Sequence, residues 1–137
     1  MTGPSDPALR RSRVCYDHLA GELAVRFFST AMSHGWFDAQ HLPDESTSVR
    51  LLPIGREGLA RLGIDADLTA DPVANTRRPG CRACMDWSER RHHLAGTIGA
   101  RLLTHCLQRG WAVRAPDSRA VVFRKRGERA LFEAFAE

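Results

Sequence analysis

The apolar positions of the chain predict amphipathic helices. Between residues 94 and 107, apolar side chains recur every four residues in two adjacent rows, which is typical of a helix packed against a core. The rows are Leu94, Ile98, Leu102 and Cys106, and Ala95, Gly99, Leu103 and Leu107. Asp86 and Glu89 resemble a capping box before this helix, and Gly110 supplies a left-handed stop after it.

The same pattern occurs earlier in the chain. HLAGELAVRFFSTAMSHGW at 18–36 aligns without a gap on HLAGTIGARLLTHCLQRGW at 93–111, which lies 75 positions later. A first helix is therefore predicted from an Asp6 cap and Pro7 to Gly35, with Gly21 in its interior. Such self-similarity indicates a tandem repeat.

Short strands are predicted after each Gly-Trp pair. Residues 36–38 and 49–52 form one hairpin, 111–114 and 120–124 form another, and a helix follows each hairpin. We therefore predict an α+β fold, with two winged-helix-like units of long helix, hairpin and helix about a pseudo-two-fold axis. Residues 1–137 form a single domain of two repeats, 7–64 and 81–137, joined by a loop at 65–80.

Composition indicates a cytoplasmic protein. No apolar run reaches the roughly 18 residues of a membrane helix, and the N-terminus lacks a signal-peptide pattern. In a reducing compartment the four cysteines are better explained as thiols, metal ligands or small core residues than as a disulfide framework. The net charge is +4, and residues 80–137, with 11 basic and 6 acidic groups, carry a net +5.

Two cysteine motifs predict a metal site. A Cys-x-x-His pair on a helix places both side chains on one face, and a Cys-x-x-Cys beside a helix start brings two thiolates together. If the repeat axis apposes the two motifs, four residues can hold zinc or another thiophilic metal. These ligands are Cys15, His18, Cys81 and Cys84, with His92 and His93 as substitutes.

The alternative is that these residues only pack. Cys15 would then be a small apolar residue of its helix, and His18 and His93 of the duplicated His-Leu-Ala-Gly segments would bond backbone or carboxylate groups at the repeat interface without any ligand. Cys106 lies on the apolar stripe as a core residue. Trp36 and Trp111 anchor each hairpin to its helix or line a ligand pocket. A polar insertion in the second copy offers candidates for an anionic effector or for solvated salt bridges, namely Glu89, Arg90 and Arg91.

No enzymatic signature is present in the sequence. It contains no glycine-rich phosphate loop, no Gly-x-Ser-x-Gly elbow and no His-Glu-x-x-His motif, so we expect a protein that is not an enzyme. The basic second hairpin instead suggests contact with nucleic-acid phosphates. The residues concerned are Arg114, Arg119, Arg124, Lys125 and Arg126.

The two motif regions also resemble a known family. Residues 13–21 (RVCYDHLAG) and 81–96 (CRACMDWSERRHHLAG) look like paired signatures downstream of the winged helix-turn-helix in longer ArsR-type transcriptional regulators. The resemblance extends from about Ala8 to the C-terminus. It implies transcriptional control by a homodimer, with metals or other stress signals as effectors. The family places its DNA-reading winged helix before these signatures, and this sequence begins almost at the first one.

Three functions follow from these observations. The first is an effector-sensing and dimerising domain of an ArsR-type regulator, which meets DNA through a winged helix that this sequence lacks. The second is a DNA-binding module that uses the basic hairpin directly. The third is a small zinc-stabilised interaction domain. We expect no membrane partner for any of them.

Overall fold

The computed structural model describes residues 6–41, 47–66, 82–86, 89 and 91–136, and within them the fold is α+β. The helices are α1 (Pro7–Arg11), α2 (Glu22–Ser33), α3 (Pro53–Leu62), α4 (Gly96–Gln108) and α5 (Lys125–Glu133). The strands are β1 (Arg13–Cys15), β2 (His18–Ala20), β3 (Phe37–His41), β4 (Thr47–Leu51), β5 (Arg82–Asp86), β6 (Arg91–Ala95), β7 (Ala112–Arg114) and β8 (Val121–Phe123). Among the described helices, none has the length and apolar character needed to cross a bilayer.

Each half of the chain contains a hairpin, a helix, a second hairpin and a second helix in that order, and in the first half the short helix α1 precedes them. We call residues 6–66 the first half and residues 82–136 the second half; the predicted connection at 65–80 lies almost entirely outside the described residues. The predicted units began with a long helix and omitted the leading hairpins, β1–β2 and β5–β6. The pseudo-two-fold axis remains a prediction.

The predicted helix from Pro7 to Gly35 is wrong, because it is divided into α1, the β1–β2 hairpin and α2. Two features interrupt it. The Val14 amide donates to the Arg119 carbonyl at 2.9 Å, which draws the backbone into an extended pairing. Gly21 adopts φ +98°, outside the right-handed helical region, so α2 begins only after it.

The predicted capping box at Asp86 and Glu89 is also wrong. Asp86 ends strand β5, and α4 begins ten residues later at Gly96. The stop at Gly110 is confirmed by its φ of +72°, and the Asp6 cap is confirmed by a 2.9 Å hydrogen bond from the Ala8 amide. Both predicted hairpins after the Gly-Trp pairs are confirmed as β3–β4 and β7–β8.

Strands from the two halves pair with each other. The hairpin β5–β6 extends β3–β4 into a four-stranded antiparallel sheet, with Ser48 opposite Arg82. In the reciprocal place, β1 meets the second-half hairpin β7–β8 through a bridge between Arg13 and Ala120. The Val121 amide also donates to the Ser12 carbonyl at 3.0 Å. Each half therefore receives a hairpin from the other.

The main hydrophobic core is shared by both halves. Phe27 of α2, Ile98 of α4 and Leu131 of α5 are each 0% exposed in it. The Trp36 ring is buried against Phe27, with the ring centroids 6.0 Å apart. Cys106 lies in the same core, which confirms its predicted packing role. Burial of this mixed apolar set stabilises the association of the two halves.

Two helical glycines allow close packing of α3 and α5 on the residues that precede the hairpins. A Cβ at Gly55 would lie 2.3 Å from the Trp36 carbonyl oxygen, and one at Gly127 would lie 2.2 Å from the Trp111 carbonyl oxygen. Helix propensity alone would favour alanine at either position by about 1 kcal/mol. The steric clash between an alanine Cβ and the tryptophan carbonyl oxygen instead favours glycine at both positions.

We therefore expect Gly127→Ala to lower the free energy of unfolding by about 1–3 kcal/mol, as is typical of overpacking. The measurement is the urea unfolding midpoint. Arg126→Ala, an exposed change in the same helix, is the control and is expected to stay within about 0.5 kcal/mol of the wild type. A more stable Gly127→Ala protein would show that propensity outweighs the contact.

Candidate metal centre

Four potential metal ligands converge between the halves. Cys15 and His18 come from the β1–β2 hairpin, whereas Cys84 and His93 come from β5–β6. One ligand atom from each residue lies within 4.8 Å of the ligand atoms of the other three. We call these four residues the Cys/His cluster. The histidines are buried, at 5% and 1% exposure, and both thiols are partly exposed.

Strand pairing, and not a helix face, brings each cysteine beside its histidine. Cys15 is directly opposite His18, and Cys84 is directly opposite His93. Side chains at opposed positions of an antiparallel pair lie on the same face of the sheet. The predicted placement of Cys15 and His18 on a helix is thus wrong, although their proximity is correct. The turn between them contains Tyr16 at φ +58°, a conformation that is uncommon for a residue other than glycine.

The cluster contains three of the four ligands first predicted and one of the substitutes. His93 completes the set with Cys15, His18 and Cys84, while Cys81 lies outside the described residues. His92 is opposite Met85, one position along β6, so alternation along the strand directs it away from the face that carries His93.

The two imidazoles face each other through their Nε2 atoms, which are 3.1 Å apart. On the far side of each ring, His93 Nδ1 lies 3.1 Å from Asp86 Oδ2 and His18 Nδ1 lies 3.3 Å from Asp17 Oδ1. Because an ionised carboxylate only accepts hydrogen bonds, these contacts assign the proton of each neutral ring to Nδ1. Both Nε2 lone pairs then point into the same space, an arrangement that a cation stabilises.

Sequence reasoning missed the polar residues behind the cluster. The Asp86 side chain is fully buried, and Arg13 lies against it, with Nη2 3.2 Å from Oδ1. The clearest sequence signal for carboxylates that support the ligands is an acidic residue near a ligand in both motifs. Asp17 is next to His18, and Asp86 follows shortly after Cys84. Carboxylates hydrogen-bonded to ligating histidines are a recurrent feature of metal sites.

A tetrahedral zinc ion fits this donor set. Zinc–nitrogen bonds of about 2.0–2.1 Å place two ligating nitrogens roughly 3.3 Å apart at the tetrahedral angle. That spacing is close to the 3.1 Å between the two Nε2 atoms. Thiolate and imidazole ligands favour zinc or a softer ion over magnesium or calcium. Four protein ligands would leave no open position for a substrate, so the arrangement suits a structural or regulatory metal.

The candidate effector residues do not form one site within the described part of the chain. The Glu89 amide donates to the Asp86 carbonyl at 3.2 Å, whereas Arg91 donates to the Ser29 hydroxyl at 2.7 Å. Arg90 lies outside the described residues. Trp36 is buried in the main core, while Trp111 is partly exposed and lines an open groove of about 330 Å³.

The basic residues of the second hairpin are on the surface. All five are exposed, around β7–β8 and the start of α5, and the described residues form no ion pair with any of them. They are Arg114, Arg119, Arg124, Lys125 and Arg126. Val113 and Val122 lie opposite each other on the same hairpin and are 45% and 51% exposed.

Cys106 is buried, unlike the partly exposed thiols of the cluster, and this burial raises its pKa to about 12. Because the thiolate is the reactive form, we expect Cys106 to resist Ellman's reagent in the folded protein at pH 8. After a chelator has removed any metal from the Cys/His cluster, the count of reactive thiols should be one lower in native buffer than in urea, and Cys106→Ala should abolish that difference. Equal native and unfolded counts for the wild type would contradict the assignment of Cys106 to the core.

Comparison with known proteins shows a similarity to a transcriptional regulator. No family model matches the chain, and no solved structure matches it. The chain is 37% identical over 123 residues to YdfF of Bacillus subtilis (strain 168), named an uncharacterized HTH-type transcriptional regulator. The alignment covers 90% of this chain and 50% of that protein, so the chain spans about half the length of the curated relative it matches. This similarity supports a relationship to HTH-type transcriptional regulators.

Proposed function

We propose that this chain is the effector-sensing and dimerising region of a bacterial ArsR-type transcriptional regulator, and that its effector is zinc or another thiophilic metal. The observation that carries the metal assignment is the convergence of four donor atoms within 4.8 Å of one another. The similarity to an HTH-type transcriptional regulator supports the regulatory assignment and points to a role other than catalysis.

The position of the Cys/His cluster suits a sensor. Each half supplies one cysteine and one histidine, so a bound ion would connect β1–β2 to β5–β6. An ion that binds only when the hairpins are together stabilises that arrangement by mass action. Metal availability would in this way set the relative position of the two halves, and through them the dimer.

Elemental analysis of protein purified under reducing conditions without chelator tests the metal assignment. We expect about one equivalent of metal in the wild type and a loss of that metal in Cys84→Ser and in His93→Gln. Cys106→Ala is the matched cysteine control and should retain the metal. Cys81→Ser should also retain it, because the cluster is complete without Cys81. A metal-free wild type that stays folded would return the cysteines to packing or thiol sensing.

The response to metal removal separates a sensor from a merely stabilised domain. A regulator should remain folded after chelation and show a graded, zinc-dependent shift in dimer dissociation by sedimentation. A small zinc-stabilised interaction domain should instead unfold on chelation, as measured by circular dichroism, and show no graded response.

Direct contact with DNA is a second candidate function, because the exposed cations around β7–β8 lack ion-pair partners in the described part of the chain. Phosphate contacts would release counterions, so binding should weaken with salt. The exposed Val113 and Val122 would lie within the same surface.

A gel shift on duplex DNA at several salt concentrations tests this second function. If α5 and the residue before it contact phosphates, the triple variant Arg124→Ala/Lys125→Ala/Arg126→Ala should reduce the salt slope by about 3 and weaken binding to all sequences. Arg50→Ala/Arg56→Ala, which removes exposed cations from the first half, is the control. Absence of any shift at low salt would exclude this function.

A further inference from the structure

The Asp86 carboxylate lies behind the Cys/His cluster with no exposure of its side chain. Its Oδ2 accepts the Gly21 amide at 2.6 Å and lies 3.1 Å from His93 Nδ1. Its Oδ1 lies 3.2 Å from Arg13 Nη2 and 3.3 Å from the Glu89 amide nitrogen. One buried side chain thus contacts a cluster ligand, strand β1 and the residue that precedes α2.

Such a carboxylate requires compensation for the loss of its hydration. Removing an ion from water is costly unless the ion is paired and its remaining lone pairs are hydrogen-bonded. Arg13 supplies the opposite charge, and the two amides supply donors from both halves of the chain. These contacts fix the carboxylate, so Oδ2 offers His93 an acceptor in one defined position.

We infer that Asp86 is the positioning residue of this metal centre: it holds His93 with its proton on Nδ1 and its Nε2 lone pair directed at the other three ligands. The inference rests on the proposed binding of metal by the Cys/His cluster. A carboxylate acceptor at Nδ1 fixes both the ring orientation and the tautomer, and it raises the basicity of the ligating nitrogen.

The same carboxylate connects the metal to helix α2. Gly21 stands immediately before α2, and its amide shares Oδ2 with His93. A Cβ at Gly21 would lie 2.8 Å from the Arg10 carbonyl oxygen, so the backbone has little room to leave this position. A change in the electron density on His93 when metal binds should therefore alter the hydrogen bond of the Gly21 amide, because both groups contact Asp86 Oδ2.

Zinc affinity, measured by competition with a chromogenic chelator, tests the positioning role. Asp86→Asn should weaken zinc binding by about 10–100-fold, the usual effect of losing a carboxylate behind a ligating histidine. Asp38→Asn makes the same chemical change on an exposed residue of β3 and should leave zinc affinity unchanged. Because Asp86→Asn removes the negative charge that faces Arg13, the double variant Arg13→Gln/Asp86→Asn provides a charge-balanced second form if the single variant fails to fold.

A double-mutant cycle separates positioning from general support of the fold. In His93→Cys the ligand is a thiolate, which needs no partner at an imidazole Nδ1. Introducing Asp86→Asn into that background should change zinc affinity by less than about threefold if Asp86 acts through His93. An equal 10–100-fold loss in both backgrounds would overturn the inference, because the role would then be structural.

The Gly21 amide gives an independent readout. Its nitrogen and proton resonances should shift when the wild type binds zinc, and this shift should disappear in Asp86→Asn at saturating zinc. Wild type that binds neither zinc nor another thiophilic metal would refute the proposed metal binding and the inference together. Wild type that binds zinc with the same affinity as Asp86→Asn would refute the inference alone.

Discussion

The fold depends on backbone hydrogen bonds that each half makes with a hairpin of the other. The second-half hairpin β5–β6 continues the first-half sheet, and β1 of the first half pairs beside β8 of the second. Backbone groups withdrawn from water must find partners, so these exchanged hairpins tie the halves together in addition to the shared core. The Cys/His cluster lies where the two leading hairpins meet, so the pairing of these hairpins with the opposite halves determines the positions of its ligands.

The parts of the fold with local signals can be predicted from the sequence. Helices α2 and α4 follow from apolar spacing, the stop at Gly110 follows from glycine's freedom at positive φ, and the hairpins after each Gly-Trp pair follow from strand and turn composition. The core position of Cys106 follows from the same helical stripe. Each of these assignments requires only neighbours within about one helical turn or one hairpin.

The leading hairpins and the exact ligand set need information from distant parts of the chain. The spacing of Cys15 and His18 suits one helix face as well as a tight hairpin. The turn position with positive φ is occupied by Tyr16, and not by the glycine or asparagine that would indicate a hairpin turn. Asp86 precedes an apolar stripe and therefore resembles a helix cap in the sequence. In the structure its carboxylate is buried and pairs with Arg13 of the other half. Three ligands were predictable by residue type, but the choice of His93 depends on strand register.

The equal division of the Cys/His cluster has a consequence for assembly. A separate half would carry one thiol and one imidazole of the Cys/His cluster, two of the four donors that a tetrahedral site requires. Two such halves could complete a site only by meeting, at a rate and extent set by their concentration. Joining both halves in one chain makes that encounter intramolecular, so its extent no longer depends on the protein concentration. Formation of the site then occurs within one molecule, and dilution of the protein does not separate its ligands.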